Sequence, residues 1–348
     1  MITSPTLNGK TEQTDRNASA DILKALAIVA VVFIHGANLI PYKPTNFDLS
    51  KSNSSLIFNS FRFCVPVFIF IWAYFQEKSI IKKGLTTLKP RLYRLFIPFA
   101  FWSSLYFVRL ADFEHLNLSS TLSKHWSGYG WSGQYYFIIL FQLIFLYPII
   151  RMASLKLIKF PALAIASFFI FYILVAYSNL FNYNIVNKIS YRPFVYWLPY
   201  VTIGIIYAHR NIFKLRPGIY IGFLSLLIIP AEIYWLRPNT EETYLLPSTF
   251  VSSLLLCGAM MSREIKYERL KPIFAKPIHV LANNTLGIFC INPLVIDLLS
   301  PVIKGFRFYF QFPGSSVLMP VISVSLITGI CLILTIILKH TKMKIVVS

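Results

Sequence analysis

A lysine and a histidine eleven positions apart lie on the first apolar run of this chain, Asp21-Ile22-Leu23-Lys24 through Ile34-His35. Eleven residues make about three helical turns, so the two share a face and stand about 16 Å apart along the axis. Asp21 and Lys24, three apart, can pair. An imidazole toward the far end of such a helix can serve as a general base near neutral pH. The alternative is a histidine bonded to a neighbouring helix, and spacing alone leaves both open.

Three further places combine charge with apolar surroundings, where an ionisable group is costly and marks a functional candidate. Arg62 lies about two turns inside an apolar run, either as a site residue or as an arginine snorkelling to an interface. Arg91 and Arg94 open another run three residues apart, on one face. They can grip an anion such as a phosphate, or simply anchor a loop at the membrane surface. Glu232 and Asp297 fall, counted along their runs, at a depth similar to His35. Either could orient its imidazole or stabilise an imidazolium.

The elements that must hold these groups are membrane helices. The 348 residues are 56% hydrophobic and 13% charged, against roughly 25% charged for a soluble domain. Apolar spans long enough to cross a bilayer run approximately over 22–40, 56–76, 92–110, 134–150, 160–178, 194–209, 218–236, 244–261, 280–300 and 318–338. The expected fold is therefore all-α, a polytopic membrane protein of about ten transmembrane helices. With both termini cytoplasmic, Lys and Arg divide 23 inside to 9 outside, alternating loop by loop, as the positive-inside rule demands. The net charge of +20 is explained by this asymmetry, so no nucleic-acid partner is expected. Prolines within the spans (Pro66, Pro98, Pro148, Pro199, Pro230, Pro293) are expected to kink their helices. The cysteines Cys64, Cys257, Cys290 and Cys331 all lie in apolar runs, without a C-x-x-C pair or a histidine at zinc spacing, and read as small apolar residues with no metal or disulfide role. The organisation is a disordered cytoplasmic N-terminus over 1–20, one transmembrane domain over 21–338 and a cytoplasmic tail over 339–348.

These residues together resemble the acyltransferase-3 family of bacterial inner-membrane proteins, multi-pass enzymes that O-acylate carbohydrates. Lys24 and His35 resemble its basic-x10-His signature. Arg62-Phe63-Cys64-Val65-Pro66-Val67-Phe68 is similar to its Arg-Phe-x-Val-Pro-x-Phe stretch. Arg91-Leu92-Tyr93-Arg94, followed by Pro98 and Trp102, resembles its Arg-x-x-Arg segment. Gly133 to Pro148, with Tyr136-Phe137 and Gln142-Leu143, resembles its fourth span, and Asn284-Thr285-Leu286-Gly287-Ile288-Phe289 the start of a late helix. The resemblance implies acyl-CoA, commonly acetyl-CoA, as a cytoplasmic co-substrate, with no permanently bound cofactor. It implies a carbohydrate or glycolipid acceptor outside. Lys24, Arg91 and Arg94 become donor contacts and His35 the catalytic base. The chain departs from the family pattern at Trp72-Ala73, where many members have Ser-Gly, and at Gln134 and Asn292, where many have His. Gln134, Asn292 and Arg62 are expected to bind substrate, the two amides by hydrogen bonds, while Asp21, Glu232 and Asp297 join His35 as catalytic candidates. Two other functions fit the polar helix faces: a glycan transporter, though no repeated halves with matching broken helices are visible, and an inactive cell-envelope scaffold.

Overall fold

The computed structural model describes residues 18–43, 56–110, 117–177, 191–213, 217–236, 243–305 and 310–348. The segment 1–17, most of the N-terminus expected to be disordered, lies outside them. Among the described residues the chain is helical, with one isolated bridge between Tyr42 and Phe310. Its helices are α1 (Ala18–Gly36), α2 (Cys64–Lys83), α3 (Leu88–Leu110), α4 (Leu118–Trp126), α5 (Gln134–Leu157), α6 (Pro161–Ala176), α7 (Leu198–His209), α8 (Ile219–Leu236), α9 (Pro247–Met261), α10 (Pro272–Asn283), α11 (Thr285–Gly305) and α12 (Ser315–Lys339).

Six helical stretches among the described residues are long and apolar enough to cross a membrane: α1, Leu56–Lys83 (which contains α2), α5, α8, α11 and α12. Three shorter apolar helices, Pro161–Ala176, Phe194–His209 and Pro247–Met261, occupy further expected spans. The remaining one coincides with α3, which carries Lys89, Arg91, Arg94 and Arg109 within its 23 residues.

Two boundaries differ from the hydropathy reading. α2 continues past 76 to Lys83 and α5 past 150 to Leu157, because basic side chains at an interface send their charge to water while the backbone stays helical. The ninth span, expected at 280–300, is divided at Asn284, where α10 ends and α11 begins. Pro199 sits in the first turn of α7, where a missing N–H costs little. Pro66 and Pro230 follow closely on the 3-10 segments Asn59–Phe63 and Ser225–Leu227, where the helical register changes. Pro98, Pro148 and Pro293 lie inside α3, α5 and α11.

α1 is the centre of the bundle, packed by α2, α9, α10, α11 and α12. Its buried Ala20, Ala25, Ala27 and Ala30 let those neighbours approach closely. Its first turn is tied to the 264–266 loop: Ala18 N donates to Ile265 O at 2.8 Å, and Ile265 N to Ser19 Oγ at 2.9 Å. The same small-residue logic joins α2 to α7, where a side chain at Gly204 would meet Phe70 O at 2.7 Å. Residues beyond α12 also pack. Val346 and Val347 are buried, and the Trp102 indole donates to Val346 O at 2.9 Å.

Candidate active site at the two ends of the first helix

At the Lys24 end of α1 lies a cavity of about 930 Å³ walled by α1, α2 and the start of α3. Six cations line it: Lys24, Lys78, Lys82, Lys83, Arg91 and Arg94. Helix periodicity explains the convergence, since Lys78 and Lys82, and Arg91 and Arg94, repeat at turn spacing. Arg91 is fixed in place, donating to Ser79 Oγ at 2.8 Å and to Phe75 O at 3.4 Å. Lys24 stands over the Phe75 ring, 5.0 Å from its centroid, and 3.3 Å from Asp21 Oδ1. Asp21 is buried and accepts a second bond from the Tyr267 hydroxyl at 2.8 Å. It thus pairs with Lys24, as the spacing of three predicts. Six cations around one cavity give it a strongly positive potential that attracts anions.

At the other end of α1, His35 Nδ1 lies 3.0 Å from Ser132 Oγ, on the loop before α5. Arg62 acts electrostatically on the same ring. Its guanidinium stands 5.0 Å from the centroid of Tyr244, whose hydroxyl accepts from Tyr135 at 3.3 Å. Arg62, intermediate in exposure, is therefore packed against the Tyr244 ring.

The loop that carries Ser132 is braced on both sides. Trp131 stacks on Tyr106, centroids 4.9 Å apart and planes 18° from parallel. Gln134 is fully buried; its Oε1 accepts from Gly130 N at 2.7 Å, and its Nε2 lies 2.8 Å from Ser103 Oγ and 3.2 Å from His125 Nδ1. Between them Gly133 adopts φ 100°, and a Cβ there would meet Phe289 at 2.9 Å, so both backbone and space require glycine.

The model of the acyltransferase domain family matches residues 17–340, nearly the whole chain. The chain belongs to the acyltransferase-3 family. No curated protein and no solved structure gave a significant match. The protein is thus a transferase enzyme of an acyltransferase family, with several helices able to span a membrane.

Of the remaining expected residues of the acyltransferase, Asn292 and Glu232 bond to groups other than His35. Asn292 donates to Phe289 O at 2.7 Å and Ile288 O at 3.2 Å on its own helix. Pro293, next in sequence, cannot donate to Phe289 O, and the Asn292 amide supplies that missing donor. Glu232 accepts from the Tyr177 hydroxyl at 2.6 Å and Ser248 N at 2.9 Å. It borders an apolar groove of about 870 Å³ between α6, α8 and α9. Asp297 follows Ile296, whose side chain packs against Gly36. That places its backbone at the His35 level, and its charge is felt at Tyr106.

Sequence reading missed three features of the acyltransferase. Lys78, Lys82 and Lys83 were visible only as part of a basic loop. Ser132 is an ordinary loop serine until the fold sets it against His35. Glu77, beyond the expected end of its span, is fully buried and binds Arg151 Nε at 2.9 Å, His209 Nε2 at 2.8 Å and the Tyr147 hydroxyl at 3.1 Å. Such a carboxylate could have been suspected from being one of only 13 acids in the chain.

Proposed function

We propose that this acyltransferase moves an acyl group, acetyl in the simplest case, from cytoplasmic acyl-CoA to a hydroxyl of a carbohydrate or glycolipid at the outer side of a bacterial inner membrane. In this reading the chain crosses the membrane ten times with both termini inside. The single observation that carries the proposal is the division of labour along α1. Lys24 lines a cavity with five other cations, and His35, about three turns away, meets a loop hydroxyl.

The nucleotide phosphates of the donor bind the cations by charge-assisted hydrogen bonds, and the pantetheine arm extends along α1. The thioester then lies at His35, which accepts the proton released as a hydroxyl attacks the carbonyl carbon. Holding both substrates in one dry site replaces much of the entropic cost of bringing them together. The groove beside Glu232, apolar and about 870 Å³, can hold hydrocarbon tails, which favours a glycolipid acceptor over a soluble sugar.

The test is acetyl-CoA consumption by the purified protein in lipid vesicles, wild type against His35→Ala, with host glycolipid and polysaccharide as acceptors. Acceptor-dependent turnover in the wild type, lost in a variant that still binds acetyl-CoA, is the expected result. A folded wild type that binds no acyl-CoA would remove the proposal and favour transport or scaffolding.

A further inference from the structure

Ser132 is the hydroxyl that the fold delivers to His35, and it has the surroundings of a nucleophile. Its side chain is exposed, whereas its neighbours Trp131, Gly133 and Gln134 are buried. The serine therefore stands on a fixed turn with its oxygen accessible. Trp131 is stacked on Tyr106 and Gln134 holds Gly130, Ser103 and His125, so the backbone that carries Oγ is held in place. The 3.0 Å separation between Oγ and His35 Nδ1 is within the reach that an activated nucleophile and its base require. α5, 24 residues long, starts two residues later at Gln134. The positive end of its dipole therefore lies beside the carbon that Ser132 would attack. Arg62, which acts on the His35 ring, adds a full positive charge near the same point.

We propose that Ser132 is a catalytic nucleophile, which carries the acyl group as an ester between donor and acceptor. The inference rests on the acyl-transfer reading of the site and replaces direct transfer by two half-reactions. In the first, His35 Nδ1 takes the proton of Ser132 Oγ, and Oγ attacks the thioester carbonyl. The tetrahedral oxyanion collapses, the C–S bond breaks, and the CoA thiolate leaves with the proton from His35. In the second, His35 takes the proton of the acceptor hydroxyl, whose oxygen attacks the seryl ester. The ester bond to Oγ breaks, Oγ recovers the proton, and the O-acylated acceptor departs. Positive charge from Arg62 and the α5 terminus stabilises both oxyanions. The alternative is that Ser132 only orients His35, which then acts on the acceptor directly.

The experiment incubates purified protein in lipid vesicles with radiolabelled acetyl-CoA and no acceptor, quenches with acid, and maps the label by peptide mass spectrometry. The expected result is up to one acetyl per chain on Ser132, removable by hydroxylamine and chased onto acceptor when it is added. Ser132→Ala should keep its melting temperature and acetyl-CoA binding, lose the label, and lose turnover by more than about 1,000-fold. Ser132→Cys should keep the label as a thioester. Brisk acceptor-dependent turnover with no label on Ser132, or a Ser132→Ala protein within threefold of wild type, overturns the serine while leaving acyl transfer intact. A folded wild type that neither binds nor consumes acetyl-CoA overturns acyl transfer itself, and the serine step with it.

Discussion

The Tyr106 hydroxyl sits inside the backbone ladder of α11, where it accepts from Leu294 N at 2.9 Å and donates to Cys290 O at 2.8 Å. These two groups would bond to each other in an unbroken helix. The inserted hydroxyl, with the Asn292 amide on Phe289 O, satisfies the backbone around Pro293. A side chain inserted in this way bends a helix, here beside the Trp131–Tyr106 stack that positions Ser132. Tyr106→Phe removes the bridge at a buried position. The expected cost is about 1–3 kcal/mol, read as a lower melting temperature in lipid, together with reduced turnover. An unchanged melting temperature would show that α11 can close its own ladder.

Glu77 ties α2 to α5 and α7 by binding Arg151, Tyr147 and His209 at once. Removing Glu77 leaves the partly exposed Arg151 and His209 without their carboxylate, so Glu77→Ala should cost about 1.5–3 kcal/mol. Arg151→Met in the Glu77→Ala background should recover part of that loss. Thermal unfolding of the two single variants and the double variant gives the coupling directly. Additive losses would mean that the three helices are held by packing alone.

What could be read from sequence was what depends on local period. Lys24 and His35 lie toward opposite ends of α1, and Arg91 and Arg94 face one cavity, because turn spacing alone decides both. The all-helical class with several apolar spans was likewise visible in runs of hydropathy. What could not be read depends on which helix stands next to which. Ser132 beside His35, His125 on Gln134, and Glu77 between Arg151 and His209 are separated by 97, 9, 74 and 132 positions respectively, and only the packed bundle joins them. Glu232 illustrates what depth alone leaves out. Equal depth suggested a partner for His35, but its two oxygens are already bonded to Tyr177 and Ser248.

The two arginines of α3 should contribute unequally to donor binding. Arg91 is held by Ser79 Oγ at 2.8 Å and half-buried, whereas Arg94 is exposed. A preorganised guanidinium loses less freedom on binding phosphate. Arg91→Ala should therefore weaken acetyl-CoA binding by about 10–100-fold, as for loss of a hydrogen bond to a charged group. Arg94→Ala should weaken it less, and mainly at low salt, where exposed charge is poorly screened. Calorimetric titration at two ionic strengths separates them. Unchanged affinity in both variants would leave the pair as a surface anchor.

His125, on α4 outside the membrane helices, should make the fold sensitive to acid. Gln134 Oε1 accepts from Gly130 N, which fixes the amide and leaves Nε2 to donate to Ser103 and to His125 Nδ1. Nδ1 must therefore be bare, and a protonated ring would set two donors against each other. Burial also holds the imidazole below its ordinary value of 6.5, because desolvation disfavours the charged form. The unfolded chain thus takes up the proton first as pH falls. The stability contribution is complete above about 6.5 and is lost as pH drops through the lowered folded value. Melting temperature against pH should show an acid-side decline in the wild type that is shallower in His125→Gln, which keeps an acceptor but does not titrate. Parallel curves for the two proteins would assign the acid sensitivity to another group and leave the Gln134 network indifferent to protonation.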